Sequence, residues 1–174
     1  YCDDKSKDWM AERYLTEEQY RQGKNMLKVA MTLMFFLPGV PSIYYGDEAG
    51  LQGYKDPFNR RCYPWGNEDH ELISYVSELS RVRKSIPNMK DGRTYFVIND
   101  GQTIDERVVA FTRQGEEMDY IVFVNRSGDE VQISDLSQKL YRFSSFEQFN
   151  GSYSDDCVKL SPYGYAIIKA KFLG

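Results

Sequence analysis

Asp56 and Arg60 stand four positions apart around Pro57, and their side chains suit a hydroxylated ligand. A carboxylate accepts hydrogen bonds and a planar guanidinium donates them in pairs, which matches neighbouring hydroxyls. Both lie in a stretch from Asp47 to about Asn67 that is rich in Gly, Asp, Asn and Pro and also carries Tyr54, Phe58, Tyr63 and Trp65. A loop of that length without periodicity is usually functional or disordered, and four aromatic side chains argue against disorder. Two readings stay open: an internal Asp–Arg ion pair that orders the loop, which spacing alone favours, or a polar clamp beside stacking aromatics. Upstream, Ser42 to Gly46 is β-branched and aromatic between breakers, which predicts a short buried strand that emerges to deliver Asp47 and Glu48.

Few other chemistries have the residues they need. Gly-x-Ser-x-Gly, a phosphate-binding glycine-rich loop, His-Glu-x-x-His and a calcium-loop pattern are all missing from the sequence. The single histidine, His70, excludes most zinc sites. Cys2, Cys62 and Cys157 are odd in number and far apart, so neither a Cys-x-x-Cys site nor a disulfide framework is expected. No metal or cofactor is therefore expected. Among 26 Asp and Glu some pair always looks apt for acid–base work, so pairing alone carries no weight.

The 174 residues suit one domain, or one domain plus part of another, and a net charge of −4 without a Lys/Arg block argues against nucleic acid as partner. A chain this long buries roughly 70% of its unfolded surface and needs no staple. The longest apolar run, Val29 to Leu37, falls far short of the ~20 residues of a membrane helix, so no membrane partner is expected. The first residues are neither basic nor apolar, so no signal peptide is expected, and the unpaired cysteines point to the cytoplasm. Asn125 and Asn150 open Asn-x-Ser triplets, a chance-prone pattern that carries little weight without a secretion signal. Aromatics make up 15% of the chain, which fits β-rich cores or carbohydrate stacking.

The elements fall into two halves. Residues 1–15 are polar and read as loop. Thr16 to Gln19 matches a capping box, and helical spacing follows through Tyr20, Leu27, Ala30, Met31 and Met34 until Pro38 and Gly39 stop it. A second helix is predicted from near Asn67, with Leu72, Tyr75, Val76, Leu79, Val82 and Ile86 as its apolar stripe and Pro87 as its end. After Asp91-Gly92 the period changes to two. Strands are predicted at 94–98, 107–113, 120–125, 130–133, 140–143, 157–160 and 165–172, with turns at Asn99-Asp100-Gly101 and Asn150-Gly151 among others. This spacing describes an antiparallel sandwich.

Here the chain resembles a family. Leu37 to Glu48 is similar to the segment of α-amylase superfamily glycosidases that spans the eighth barrel strand. Asp56-Pro57-Phe58-Asn59-Arg60, followed by Tyr63-Pro64-Trp65, resembles the next loop in neopullulanase-like, cyclomaltodextrinase-like and oligoglucosidase-like members. Leu79, Arg83 and Ile86-Pro87 resemble the last barrel helix, and Leu160 to Gly164 the end of the C-terminal sandwich. The resemblance implies an α+β chain: residues 1–90 as a helix–strand–helix remnant of a TIM barrel, and 91–174 as an antiparallel β-sandwich. A full barrel takes ~250 residues, so the family's nucleophilic Asp, acid/base Glu and third Asp belong upstream of Tyr1.

The resemblance further implies a parent that cleaves α-glucosidic bonds of malto-oligosaccharides or related α-glucans with retention. This chain alone should be inactive. Asp56 and Arg60 would bind a glucose unit on the non-reducing side of the cleavage point, and no catalytic residue transfers to this sequence. Tyr45 and Trp65 could line the sugar path or pack in the core. The alternative is a stand-alone carbohydrate-binding or structural β-sandwich module. The helix ending at Leu37 loses its barrel neighbours, which predicts self-association through that exposed helix.

Overall fold

A computed structural model describes residues 5–87, 89–99 and 102–173. Cys2 and the predicted turn residues Asp100 and Gly101 lie outside the described residues. Helix α1 (Lys7–Glu12) opens the described chain, capped by the Ser6 hydroxyl on the Trp9 amide. The sequence reads this stretch as loop. Six residues are too few to show a period, and only the Ser6 cap marks the start.

Helix α2 (Glu17–Phe36) begins with the expected capping box: the Thr16 hydroxyl accepts from the Gln19 amide, and the Gln19 side chain accepts from the Thr16 amide. Helix α3 (His70–Ser85) starts three residues later than expected, because the Asp69 carboxylate is itself the N-cap and accepts from the Glu71 and Leu72 amides. The two helices are tied along their length. Lys24 reaches Asp69 at 2.7 Å and Glu71 at 2.6 Å, and the Thr32 and Tyr75 hydroxyls meet at 2.6 Å. Arg83 donates to the carbonyls of Phe35 and Gly39, closing the end of α2 that Pro38 leaves without intrahelical partners.

The second half contains antiparallel sheets. The larger has the order β1 (Thr94–Phe96), β4 (Val108–Arg113), β5 (Asp119–Asn125), β10 (Tyr165–Phe172), β7 (Phe143–Asn150). Facing it is β6 (Val131–Ile133), β9 (Cys157–Leu160), β8 (Ser152–Ser154), while β2 (Ile98–Asn99) and β3 (Gln102–Thr103) form a small hairpin. Two corrections apply. The predicted strand 140–143 is largely a turn after the short helix α4 (Leu136–Lys139), and the true strand runs from Phe143 to Asn150. That strand is the sheet edge, where Ser144, Ser145, Glu147 and Gln148 face water, so apolar alternation is weak there.

Strand β5 explains why the halves pack as they do. Its residues Tyr120 to Asn125 are all buried, because the sheet is covered on both faces. Ile121 and Phe123 point to the second sheet, with Val131, Ile133, Val158 and Leu160. Tyr120, Val122 and Val124 point the other way, into one cluster with Val29, Met31, Phe35, Phe36, Leu79 and Val82 of the helices. Tyr165 adds a polar seam: its hydroxyl donates to Glu78 at 2.8 Å and accepts from the Asn150 amide at 2.9 Å. Asn125 is fully buried, donating to the carbonyls of Asp129 and Ser161 at 2.7 and 3.0 Å and accepting from the Ser127 amide at 2.9 Å. Among the described residues no helix is long and apolar enough to cross a membrane.

Candidate functional site

The segment predicted as a buried strand, Ser42 to Gly46, is not a strand. It has no sheet neighbour, and Tyr44 and Tyr45 are 48% and 44% exposed. The apolar run is real, but a strand needs partners on its edges, and residues 5–87 contribute none. Gly46 then turns the chain at φ +93°, where a Cβ would lie 2.6 Å from the Leu51 side chain. This turn leads into a 3-10 turn over Asp47–Ala49, capped by Gly50 at φ +73°. The Glu48 carboxylate accepts from the Gly46 amide at 2.9 Å and holds the turn from within.

Beyond it, a second 3-10 turn covers Phe58–Arg60, after a cis Asp56-Pro57 bond. The structure brings Asp56 and Arg60 together as an ion pair, with both side chains more than 60% exposed. The partners touch, as the ordering contact requires, and both side chains stand open to solvent. Arg61, which sequence reasoning passed over, anchors the loop from below. It donates to the Met10 carbonyl at 2.9 Å and lies 4.7 Å from the Tyr14 ring centroid. Its carbonyl accepts from the Tyr45 hydroxyl at 3.0 Å, which sets Tyr45 beside the Arg60 turn. Adjacent arginines of identical type gave no signal that one faces outward and the other inward.

The aromatics gather at the same end. Tyr63 and Trp65 pack at 4.5 Å between ring centroids, and Trp65 is 79% exposed, so it is not a core residue. Burial and the neighbouring Glu48 carboxylate push the Tyr63 phenol above its ordinary value. Asp47 is also pushed up, by burial first and by Glu48 second. A cavity of about 630 Å³ lies behind the loop, lined by Tyr14, Gln52, Phe58, Arg61 and Cys62 among others, and its lining does not include Asp56 or Arg60. His70 is exposed in the first turn of α3, as a surface imidazole would be. Among the described residues no group of three or more His, Cys, Asp or Glu gathers to hold a metal ion.

At this end the loop presents an exposed acceptor–donor pair, a tilted Tyr63–Trp65 contact and the carboxylates Asp47 and Glu48 just after the Gly46 turn. It can hold hydroxyls and a ring face. It contains no nucleophile paired with an activating base.

No protein-family model matches the chain. It is 38% identical over 128 residues to an amylopullulanase of Thermoanaerobacterium saccharolyticum, which covers 70% of this chain and 10% of that protein. It is 32% identical over 153 residues to a cyclomaltodextrinase of Geobacillus thermopakistaniensis, covering 83% of this chain and 26% of that protein. Among solved structures it is similar to the cyclic α-maltosyl-(1→6)-maltose hydrolase of Arthrobacter globiformis, with a TM-score of 0.65, 28% identity, and coverage of 82% of this chain and 29% of the other. The chain thus spans well under two thirds of the length of each of these proteins.

Proposed function

Because the chain matches the C-terminal part of an α-amylase superfamily enzyme, we propose that it closes the substrate site of a hydrolase acting on α-glucosidic bonds of malto-oligosaccharides or related α-glucans. The observation that carries this reading is the exposed Asp56–Arg60 pair on a loop that Arg61 ties to the Met10 carbonyl. In this reading Asp56 and Arg60 bind a glucose unit on the non-reducing side of the cleaved bond. The retaining step uses a nucleophile and an acid about 5–5.5 Å apart, both supplied by strands of the parent upstream of Tyr1. Residues 1–90 complete the barrel and 91–174 form the sandwich. A net charge of −4 supports a neutral sugar over nucleic acid as partner. Cys62 and Cys157, both free, support a reducing cytoplasm.

The test uses the chain and its parent side by side. The chain alone should not turn over a nitrophenyl α-maltoside, whereas the parent should. Arg60→Ala in the parent should lower kcat/KM about 10–100-fold, the worth of a charge-assisted hydrogen bond. Turnover by the chain alone that is lost on changing one of its own carboxylates would sink the reading. Unchanged kinetics in Arg60→Ala would remove Arg60 from the sugar site.

We also propose that the isolated chain self-associates through α2 and the segment after it. Met26 of α2 is 54% exposed and Val40, just after the helix, is 90% exposed. Light scattering should give a mass above the monomer, lowered by Val40→Asp. A monomeric mass for the unaltered chain would refute it.

A further inference from the structure

The sandwich carries a second recess, unconnected with the Asp56–Arg60 loop. It lies at the open end of the two sheets, where β1 and the turn between β4 and β5 face the turn after α4. Its volume is about 580 Å³, within the range of small-ligand sites. Tyr95, Phe96, Tyr141 and Phe172 border it and are 53%, 62%, 61% and 52% exposed. A soluble surface rarely gathers four large aromatics around one concavity without a partner for them.

The frame is rigid. The Leu173 amide donates to the Arg142 carbonyl at 2.9 Å, and the Phe143 amide to the Leu140 carbonyl at 2.9 Å, which fixes Phe172 against the 140–143 turn. Phe143 and Phe172 pack edge to face at 5.7 Å. On the other wall, the Thr112 hydroxyl donates to the Tyr95 carbonyl at 3.4 Å and ties β1 down. Little ordering cost is left to pay on binding.

Three polar side chains in the recess, Gln114, Asp119 and Arg142, are planar, while the Lys139 ammonium there donates to the Ser134 carbonyl at 2.6 Å. Asp119 uses one carboxylate oxygen on the Gly115 amide, at 3.2 Å. No hydrogen bond engages the Gln114 side-chain amide among the described residues, and that side chain is exposed. The Arg142 guanidinium lies 6.0 Å from the Tyr141 ring centroid. A purely apolar peptide would leave Gln114 and Asp119 unmet, and an anion drawn by Lys139 and Arg142 would still meet the Asp119 carboxylate and leave the four aromatics unused. A pyranose ring meets both demands, with a C–H face for the aromatics and a rim of hydroxyls for the amide and carboxylate.

We infer that this recess between β1, the β4–β5 turn and the turn after α4 binds an α-linked gluco-oligosaccharide. The choice of α-glucan rests on the hydrolase reading above; the choice of a sugar rests on the recess itself. Such a site would hold polymer near the parent's reaction centre without taking part in cleavage.

Amide chemical-shift titration of the chain with maltoheptaose tests it. Saturable shifts are expected at residues 95–97, 114–119 and 140–143. Tyr95→Ala and Tyr141→Ala should each weaken binding about tenfold, or 1.4 kcal/mol, while Tyr141→Phe keeps the ring and the affinity. Both tyrosines are exposed, so unchanged unfolding midpoints should show that the alanine variants are folded. His70→Ala, an exposed change outside both sites, should leave the dissociation constant unchanged. Absence of saturable shifts in the recess overturns the inference, as does binding lost in Arg60→Ala and kept in the tyrosine variants. Equal affinity for cellohexaose overturns the assignment to α-glucans. The hydrolase reading is judged separately, by turnover of the parent, so the two can fail independently.

Discussion

Truncating Phe36 to alanine is expected to cost about 3–5 kcal/mol and to loosen the helices and the sandwich together. Phe36 is fully buried at the end of α2, 5.5 Å from the Tyr165 ring, in the cluster that also takes in Phe111, Val122, Val124 and Ile167. Deleting the ring removes contacts on both sides of the seam at once. Because Pro38 and the Arg83 hydrogen bonds to Phe35 and Gly39 hold the backbone there, the site has little room to collapse. Hydrogen exchange checks the prediction. Amides of α3, β5 and β10 should lose protection by the same free energy. If α2 and α3 exchange faster while β5 and β10 keep their protection, the two halves fold separately and the shared cluster is not a cooperative core.

The second large effect is at Asp69. This carboxylate caps α3 through the Glu71 and Leu72 amides, accepts from the Tyr20 hydroxyl at 2.7 Å, and pairs with Lys24 at 2.7 Å. Asp69→Ala removes a cap worth about 1 kcal/mol and leaves the Lys24 and Tyr20 donors partly unmet, for a total of about 2–4 kcal/mol. Burial raises the Asp69 carboxyl, but hydrogen bonds from Lys24, Tyr20 and the Leu72 amide outweigh it and bring it down to about 2.

The sign of the pH dependence follows. The folded value lies below the unfolded one of about 3.9, so the unfolded chain binds the proton more readily. The stabilisation is present in full above about pH 5 and is lost as pH falls through 4 toward 2, by at most about 2 kcal/mol. Asp69→Asn keeps the cap and removes the charge. The stability gap between it and the unaltered protein, measured by denaturant unfolding, should shrink from pH 6 to pH 2.5. A gap that stays constant would show that the charge at Asp69 does no stabilising work.

What could be read in advance depended on how locally each feature is determined. The Thr16 capping box and the Leu72–Ile86 stripe rest on contacts within one helix, and both stand as read. The strands Val108–Arg113, Cys157–Leu160 and Tyr165–Phe172 were legible because turn residues bracket them. Ser42 to Gly46 misled for the opposite reason. Its apolar side chains describe a strand between neighbours, and pairing depends on chain segments elsewhere. The edge strand Phe143–Asn150 and the four-residue helix α4 were hidden because neither shows a period that four to eight residues can carry.

The candidate site divides in the same way. Asp56 and Arg60 meet because four residues around a proline bring them close. The roles of Arg61, Tyr45 and Glu48 depend on Met10, Tyr14 and Gly46, and only folding brings those together. The aromatic surplus resolves into three places: the core, the tilted Tyr63–Trp65 pair, and the rim of the sandwich recess.

The buried Asn125 amide has one last consequence. Its triplet with Arg126 and Ser127 spells an acceptor for a glycan, yet in the folded chain its amide nitrogen and oxygen are both turned inward, and the Ser127 hydroxyl donates back to it at 2.7 Å. A transferase could reach this asparagine only before β5 is sealed between the helices and the second sheet. Made in a secretory host, the protein would thus carry its own folding clock: sugar on Asn125 would mark molecules that closed too late, and its absence those that closed in time.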